Sequence, residues 1–304
     1  MTLKKNDLVL VTGGSGFIGR SCLDLLLERE CNVAACGRSS RPAGVSEEIE
    51  WRQVNILNPN DRRELINQLK PSHLLHLAWC TDPGNFWNDS QNPVWAAASI
   101  DLLFNFILEG GQHFVGAGSC AEYDWDYGYL SEYQTPLNSQ TLFGTCKGAF
   151  SNIALKYCEE ANIKGSWGRV FYVYGPDEKP ERLVPSLIQK LKAKERASVS
   201  LGTQIRDYMF VEDVAKCFVT LLSSDFCGAV NIGSGQAIRI SEIITSVAEQ
   251  LGAIELVDFG SVPIRAGDPP VILADTSILS NKLGFKQNTE LDHGIKRTIQ
   301  SFTA

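Results

Sequence analysis

The sequence of 304 residues lacks several features that would point to particular classes of protein. No apolar run approaches the roughly 20 residues that a bilayer span requires. The 28 Lys and Arg residues are outnumbered by 35 Asp and Glu, and the net charge of −7 argues against a nucleic-acid partner or a basic membrane anchor. The nine cysteines include no Cys-x-x-Cys pair, so we expect reduced thiols, no metal site and a cytoplasmic protein.

A glycine-rich turn lies near the N-terminus of the chain. An apolar run ending at Val11 predicts a buried strand, and from Phe17 onward the apolar residues adopt helical spacing. Between them lie Gly13, Gly16 and Gly19. Glycines permit a tight turn and let a pyrophosphate approach the backbone, while the N–H groups at the start of the helix face the anion. The stretch therefore predicts a dinucleotide-binding site.

Strands and helices are predicted to alternate through the first part of the chain. Apolar runs predict strands over 32–36, 51–56, 73–79, 113–117 and 166–172, and helical spacing predicts helices over 61–69, 142–162, 181–193 and 211–223. This alternation predicts an α/β fold with a doubly wound parallel sheet of the Rossmann type. We expect a dinucleotide-binding part over 1–170 and a smaller substrate-binding α/β part over 171–304, interleaved with the first.

The second predicted strand leads into Gly37, Arg38 and Ser39. A Rossmann unit that binds NAD usually carries an Asp or Glu here for the ribose 2′-hydroxyl, and this chain has none. Arg38 and Ser39 instead offer hydrogen-bond donors, and the fork of an arginine matches the geometry of a phosphate. The pattern favours NADP(H) over NAD(H) as the cofactor.

Two further stretches contain residues suited to chemistry. The fifth predicted strand leads to Ser119, and because ligands bind beyond the carboxyl ends of such strands, Ser119 should face the cofactor. Phe143 and Lys147 are four residues apart in a predicted helix and so share one face. Together with the glycine turn, these residues resemble the extended short-chain dehydrogenase/reductase family, which comprises nucleotide-sugar epimerases, dehydratases and reductases.

The resemblance covers nearly the whole chain, because segments at 171–176, 204–215, 231–235 and 265–268 also match the family in order. It implies cofactor contacts from Gly13, Ser15, Gly16, Phe17, Ile18, Gly19, Arg38, Ser39, Asn55, Ile56, Leu77, Ala78 and Lys147. It implies catalytic positions at Ser119, Phe143 and Lys147. It implies contacts to a nucleotide-sugar substrate from Ser119, Cys120, Tyr172, Arg206 and Arg265, with the two arginines clamping the pyrophosphate. It also implies a homodimer.

Phe143 occupies the position of the family's catalytic tyrosine and is the main departure from the family. The phenol transfers a proton when the hydride moves, and losing such general acid–base catalysis costs about 10²–10⁴-fold in rate. We therefore expect severe impairment, with Lys147 still able to hold the nicotinamide ribose. Three explanations are open: an introduced substitution, a natural loss that leaves a binding protein, or replacement by a nearby phenol such as Tyr123.

By the same resemblance, the residues after Ser119 reduce the number of family reactions that this chain could catalyse. Family dehydratases carry an Asp-Glu pair where this chain has Cys120 and Ala121, and members that epimerise beside a ketone before reducing it use a cysteine at the position of Ala121. Of the family's reactions, simple hydride transfer remains. Because NADPH is a consumable reductant, the resemblance then implies reduction of the 4-keto group of a nucleotide-linked 6-deoxy sugar. The acidic, aromatic segment 122–132 is expected to line the sugar pocket. The alternatives are an NAD-dependent nucleotide-sugar 4-epimerase and a non-catalytic NADP-binding sensor or regulatory protein.

Overall fold

The computed structural model describes residues 3–4, 7–82, 84 and 86–302. The strands are β1 Leu8–Thr12, β2 Asn32–Gly37, β3 Glu50–Gln53, β4 His73–His76, β5 His113–Ser119, β6 Tyr129–Leu130, β7 Lys164–Val170, β8 Tyr172–Tyr174, β9 Ala197–Val199, β10 Ile205–Arg206, β11 Tyr208–Phe210, β12 Gly228–Ile232, β13 Ile238–Arg239, β14 Val257–Phe259 and β15 Val271–Ala274. The helices are α1 Phe17–Glu28, α2 Pro59–Leu69, α3 Asn92–Leu108, α4 Leu142–Glu160, α5 Leu183–Lys192, α6 Val211–Leu222, α7 Ile240–Gln250, α8 Ser277–Asn281 and α9 Leu291–Ser301. Short 3₁₀ turns occur at Phe86–Asn88, Cys120–Glu122, Trp125–Tyr127 and Ile254–Leu256.

Seven parallel strands form the central sheet, in the order β3-β2-β1-β4-β5-β7-β12. Val9 and Val11 of β1 pack in a core with residues of α1 and α6, whereas Leu10 packs in a second core with residues of α2, α3 and α4. Helices thus cover both faces of the sheet, which explains why its inner strands are almost wholly apolar. The predicted doubly wound Rossmann fold is confirmed. The strand order reverses between β1 and β4, the place where ligands bind in such sheets.

The chain after residue 171 contributes to both parts of the molecule. Helix α6 and strand β12 return to the central sheet. The remaining strands form a four-stranded sheet, β13-β10-β15-β6, and two parallel pairs, β8 with β11 and β9 with β14. Helices α5, α7 and α9 enclose a separate core that includes Leu187, Ile244 and Ile295. No helix within the described ranges is long and apolar enough to cross a membrane.

Three central strands are shorter than the apolar runs predict, for a shared reason. Strand β3 ends at Gln53 rather than 56, β4 at His76 rather than 79, and β7 at Val170 rather than 172. The apolar residues beyond these ends, such as Leu77 and Phe171, line a cleft instead of continuing the sheet. Burial against a ligand site and burial inside a sheet call for the same apolar residue types, so the two cannot be told apart by pattern.

Candidate active site

The glycine turn between β1 and α1 has no room for side chains. Gly13 adopts φ +73°, and a Cβ there would lie 2.8 Å from the backbone nitrogen of Ala78. A Cβ on Gly19 would lie 2.2 Å from the carbonyl oxygen of Gly13. Gly16 precedes α1 without a side-chain cap, so N–H groups of the first helical turn remain available to an anion. This cradle fits the pyrophosphate of a dinucleotide.

A cleft of about 770 Å³ runs along the carboxyl ends of the central strands. Most of the predicted cofactor-binding residues line it, namely Gly13, Ser15, Gly16, Phe17, Ile18, Gly19, Arg38, Ile56, Leu77, Ala78 and Lys147. Ser39 and Asn55 do not. Both are exposed, the carbonyl of Ser39 accepts from the indole of Trp51 at 3.1 Å, and Asn55 Oδ1 accepts from the backbone of Leu57 at 3.2 Å. The structure therefore does not bring these two predicted residues to the cleft.

Ser119 lies at the end of β5, where a buried acid fixes its backbone. Its N–H donates to Oε1 of Glu122 at 2.8 Å, and its hydroxyl oxygen accepts from the N–H of Ala121 at 3.2 Å. Glu122 is 1% exposed and also accepts from Arg169 Nε at 2.8 Å. The hydroxyl of Ser119 is also hydrogen-bonded to the side chain of Cys120, and Ser119 lines the cleft.

Lys147 lines the same cleft as Ser119 and is 4% exposed. Its Nζ donates to the carbonyl of Ala117 at 2.7 Å and lies 4.0 Å from the centre of the Trp79 ring. Burial lowers the pKa of Lys147 to about 7, and Glu122 opposes that shift. The helix α4 thus presents an amine that is partly neutral near pH 7.

Phe143 lies one turn before Lys147 on α4 and also lines the cleft. Its ring packs edge-on against three aromatic rings, with centroids 6.4 Å from Trp79, 5.1 Å from Phe86 and 5.9 Å from Trp87. The ring is 4% exposed. The ring therefore packs within an apolar surrounding formed by these three aromatic side chains.

Tyr123, suggested above as a substitute phenol, does not line the cleft. It is 1% exposed, donates to Oδ1 of Asn231 at 2.8 Å and accepts from Arg169 at 3.0 Å, away from the cleft lining. Burial raises its pKa. No residue of 122–132 lines the cleft itself, although Trp125 packs edge-on against Trp87 with ring centroids 5.8 Å apart, so the role of this segment in the sugar pocket stays a prediction. The phenols that do line the cleft, within the described ranges, are Tyr172 and Tyr208.

Only some of the residues predicted to bind the substrate line the cleft. Cys120 and Tyr172 line it, and burial raises the pKa of Cys120 to about 12, which makes it a poor nucleophile. Arg206 is buried beside Tyr172 and pairs with Asp268 at 2.7 Å. Arg265 is exposed on a loop and does not line the cleft. A pyrophosphate clamp by Arg206 stays a prediction, while Arg265 lies outside the cleft.

Sequence reasoning missed two groups of cleft residues. One is the aromatic wall around Phe143, and the other is the segment Asp177–Arg182 after β8. The aromatic residues follow the carboxyl end of β4, at the same sheet edge as Ser119, and that position could have indicated them, whereas β8 pairs with β11 outside the central sheet. The described residues contain no group of three or more His, Cys, Asp or Glu side chains suited to a metal ion.

The family described as NAD dependent epimerase/dehydratase matches residues 9–233, and the chain belongs to this family. CDP-abequose synthase of Salmonella muenchen is 24% identical over 310 residues, covering 98% of both chains. The dTDP-4-dehydro-6-deoxyglucose reductase of Escherichia coli is 24% identical over 318 residues, covering 99% of both. The resemblance inferred from the motifs is thereby confirmed.

Two solved structures show how closely the fold is shared. UDP-glucose 4-epimerase of Thermus thermophilus in complex with NAD superposes with a TM-score of 0.88 at 22% identity, covering 98% of this chain and 99% of that one. MoeE5 in complex with UDP-glucuronic acid and NAD superposes with a TM-score of 0.84 at 27% identity, with the same coverage.

Proposed function

We propose that this chain has the architecture of an NADPH-dependent reductase acting on the 4-keto group of a nucleotide-linked 6-deoxy sugar, and that Phe143 disables its proton step. One observation carries the proposal: a single cleft contains the glycine cradle together with Ser119, Phe143 and Lys147. The two relatives named for abequose synthesis and deoxyglucose reduction match over the full length. Arg38 lines the cleft after β2, which supports NADPH rather than NADH.

Each residue has a distinct part in this reaction. Bound NADPH supplies the hydride. The hydroxyl of Ser119 would donate to the carbonyl oxygen, in place of its hydrogen bond with Cys120, and stabilise the charge that develops there. Lys147 would hold the ribose of the cofactor, and a tyrosine at position 143 would protonate the oxygen with its pKa lowered by that lysine. Phe143 keeps the shape of that tyrosine's ring but has no hydroxyl proton to transfer.

A non-catalytic NADP-binding protein is the second candidate. The observation that favours it is the packing of Phe143, whose ring meets Trp79, Phe86 and Trp87 edge-on. Such a pocket accommodates phenylalanine without leaving a polar group unpaired, as expected if phenylalanine is the natural residue.

NADPH oxidation by the wild type and by Phe143→Tyr distinguishes the two candidates. The assay uses a panel of nucleotide-linked 4-keto-6-deoxy sugars. A reductase should gain about 10²–10⁴-fold in turnover when the phenol is restored. The matched control is Phe259→Tyr, which adds a hydroxyl to an exposed ring on β14 and should change nothing. If both forms are inert although NADPH and the nucleotide sugar bind, the reductase assignment fails and the binding protein is favoured.

We also propose that the chain forms a homodimer in the cytoplasm. Phe104 and Leu108 of α3 and Ile153 of α4 are exposed, and the ring of Phe104 stacks on Tyr157 with centroids 6.4 Å apart. Apolar side chains grouped on two adjacent helices are typical of a protein interface. The nine free cysteines, most of them buried, support a reducing compartment.

A further inference from the structure

The side chain of Glu122 lies fully buried between strand β5 and helix α4. A Cβ on Gly118 of β5 would lie 2.4 Å from Oε1 of Glu122, so a larger residue there would displace the carboxylate. On the other side, a Cβ on Gly148 of α4 would lie in ordinary contact with Glu122, 3.9 Å from its Cβ. Glu122 therefore packs between the two elements that carry Ser119 and Lys147.

Three donors hold the carboxylate of Glu122 in place. The N–H of Ser119 donates to Oε1 at 2.8 Å, and Nε of Arg169 donates to Oε2 at 2.8 Å. The indole N–H of Trp167 lies 3.0 Å from Oε1 and 3.2 Å from Oε2. Both Arg169 and Trp167 belong to β7 and are buried. The carboxylate is thus fixed by one central strand, β7, and in turn holds the last residue of the next strand, β5.

The hydrogen bond from Ser119 to Glu122 is one half of a reciprocal pair. The hydroxyl of Ser119 accepts from the N–H of Ala121 at 3.2 Å, while the carboxylate of Glu122 accepts from the N–H of Ser119. Two such bonds across a single turn fix both the backbone and the side chain of the first residue. A carboxylate also binds an N–H more strongly than a neutral acceptor does. Removing the charge should therefore loosen the orientation of the Ser119 hydroxyl.

We propose that Glu122 is a positioning residue: its carboxylate, held by Arg169 and Trp167, keeps Ser119 in the conformation that directs its hydroxyl toward the substrate's carbonyl oxygen. The inference rests on the proposed function, because it takes Ser119 as the donor to that oxygen. Ser119 lines the cleft and Glu122 does not. Glu122 therefore acts through Ser119 and not through contact with a ligand.

The kinetics of NADPH oxidation in the Phe143→Tyr background test this role. The probes are dTDP-4-dehydro-6-deoxyglucose and its CDP- and UDP-linked counterparts. Glu122→Gln keeps the shape of the side chain without its charge, and it should lower kcat about 10–100-fold with little change in KM, since small misplacements of a reacting group cost this much. Glu122→Asp keeps a charge beside Arg169, which favours folding, but is one methylene too short to reach Ser119 as well, and it should lower kcat to a similar extent.

A double-mutant cycle separates positioning from a general loss of structure. In a Ser119→Ala background, Glu122→Gln and Glu122→Asp should change kcat by less than about twofold, because a positioning residue acts only through the residue that it positions. Tyr123→Phe is the matched control. It removes a hydrogen bond to Arg169 in the same buried network without touching Ser119, and it should leave kcat unchanged.

The outcomes distinguish this inference from the proposed function. If Phe143→Tyr turns over a probe and both Glu122 variants keep its kcat, the inference alone is wrong. It is also wrong if the two variants lower kcat equally with and without the hydroxyl of Ser119, or if neither variant folds, since the carboxylate would then serve the fold and not the orientation of Ser119. If Phe143→Tyr oxidises NADPH with none of the probes, the proposed function fails, and the inference fails with it.

Discussion

Replacing Lys147 with methionine should stabilise the protein at neutral pH, because a buried ammonium group is replaced by an apolar side chain of similar length. Lys147 is 4% exposed and its Nζ has one hydrogen bond, to the carbonyl of Ala117 at 2.7 Å. Burial lowers its pKa to about 7, and Glu122 opposes this only in part. The ammonium form is therefore disfavoured in the folded state.

The magnitude follows from the difference between the folded and unfolded pKa. In the unfolded chain a lysine titrates near about 10.4, so between about pH 7 and pH 10 the unfolded state binds more protons and stability rises with pH. The destabilisation is fully present below the folded pKa of about 7 and disappears as the pH rises toward the unfolded value. At about 1.4 kcal/mol per pKa unit, this destabilisation amounts to about 4 kcal/mol at pH 7.5 and about 1 kcal/mol at pH 9.5. Lys147→Met also loses one hydrogen bond, which reduces its gain in stability by about 1 kcal/mol at both pH values.

Urea unfolding of the wild type and Lys147→Met at pH 7.5, 8.5 and 9.5 measures this difference. Lys147→Met should be more stable by about 3 kcal/mol at pH 7.5 and about equally stable at pH 9.5. Lys190→Met is the control, since Lys190 is exposed in the last turn of α5 and should show no such pH dependence. A stability difference that is the same at all three pH values would refute the reasoning, because it would mean that the ammonium form is not disfavoured by burial.

Two further predictions concern the cofactor and the assembly. Arg38→Ala should weaken NADPH binding by about 10–100-fold with little change in NADH binding, because only NADPH carries the phosphate that a charged donor would contact. Fluorescence titration with both cofactors measures the two affinities. Equal losses of affinity for NADPH and NADH would contradict the prediction. Phe104→Glu should convert a dimer to a monomer by placing a charge in the exposed apolar face of α3, and light scattering would detect the halved mass. A wild type that is already monomeric would contradict the dimer.

The glycine turn and the meeting of Ser119, Phe143 and Lys147 at one cleft could be predicted because each depends on local geometry. Gly13 has a positive φ and Gly19 touches the carbonyl of Gly13, so the three-residue spacing encodes a shape that hardly any other sequence permits. Phe143 and Lys147 share a face because α4 is a regular helix. Ser119 follows from the rule that strands in a parallel sheet present their carboxyl ends to the ligand.

Other parts of the site could not be predicted because they depend on which distant segments meet. The aromatic rings around Phe143 come from the loops after β4, and Glu178 comes from the loop after β8. Tyr123 looked available next to Ser119 in the chain, but its hydroxyl lies in a buried network with Asn231. Adjacency in sequence says little about which way a side chain faces after a strand ends.

The sequence by itself therefore determined the fold class and the family, while the dinucleotide cradle and the loss of a phenol at Phe143 stay predictions from it. These depend on glycine spacing, on the strand–helix alternation and on the identity of one residue. Only the tertiary structure decided that Arg265 lies outside the cleft, that Lys147 is buried with a lowered pKa, and that Oε2 of Glu178 is buried without a hydrogen-bond partner among the residues the structure describes. Burial, charge and pairing are properties of the packed chain, because they depend on contacts between segments far apart in sequence.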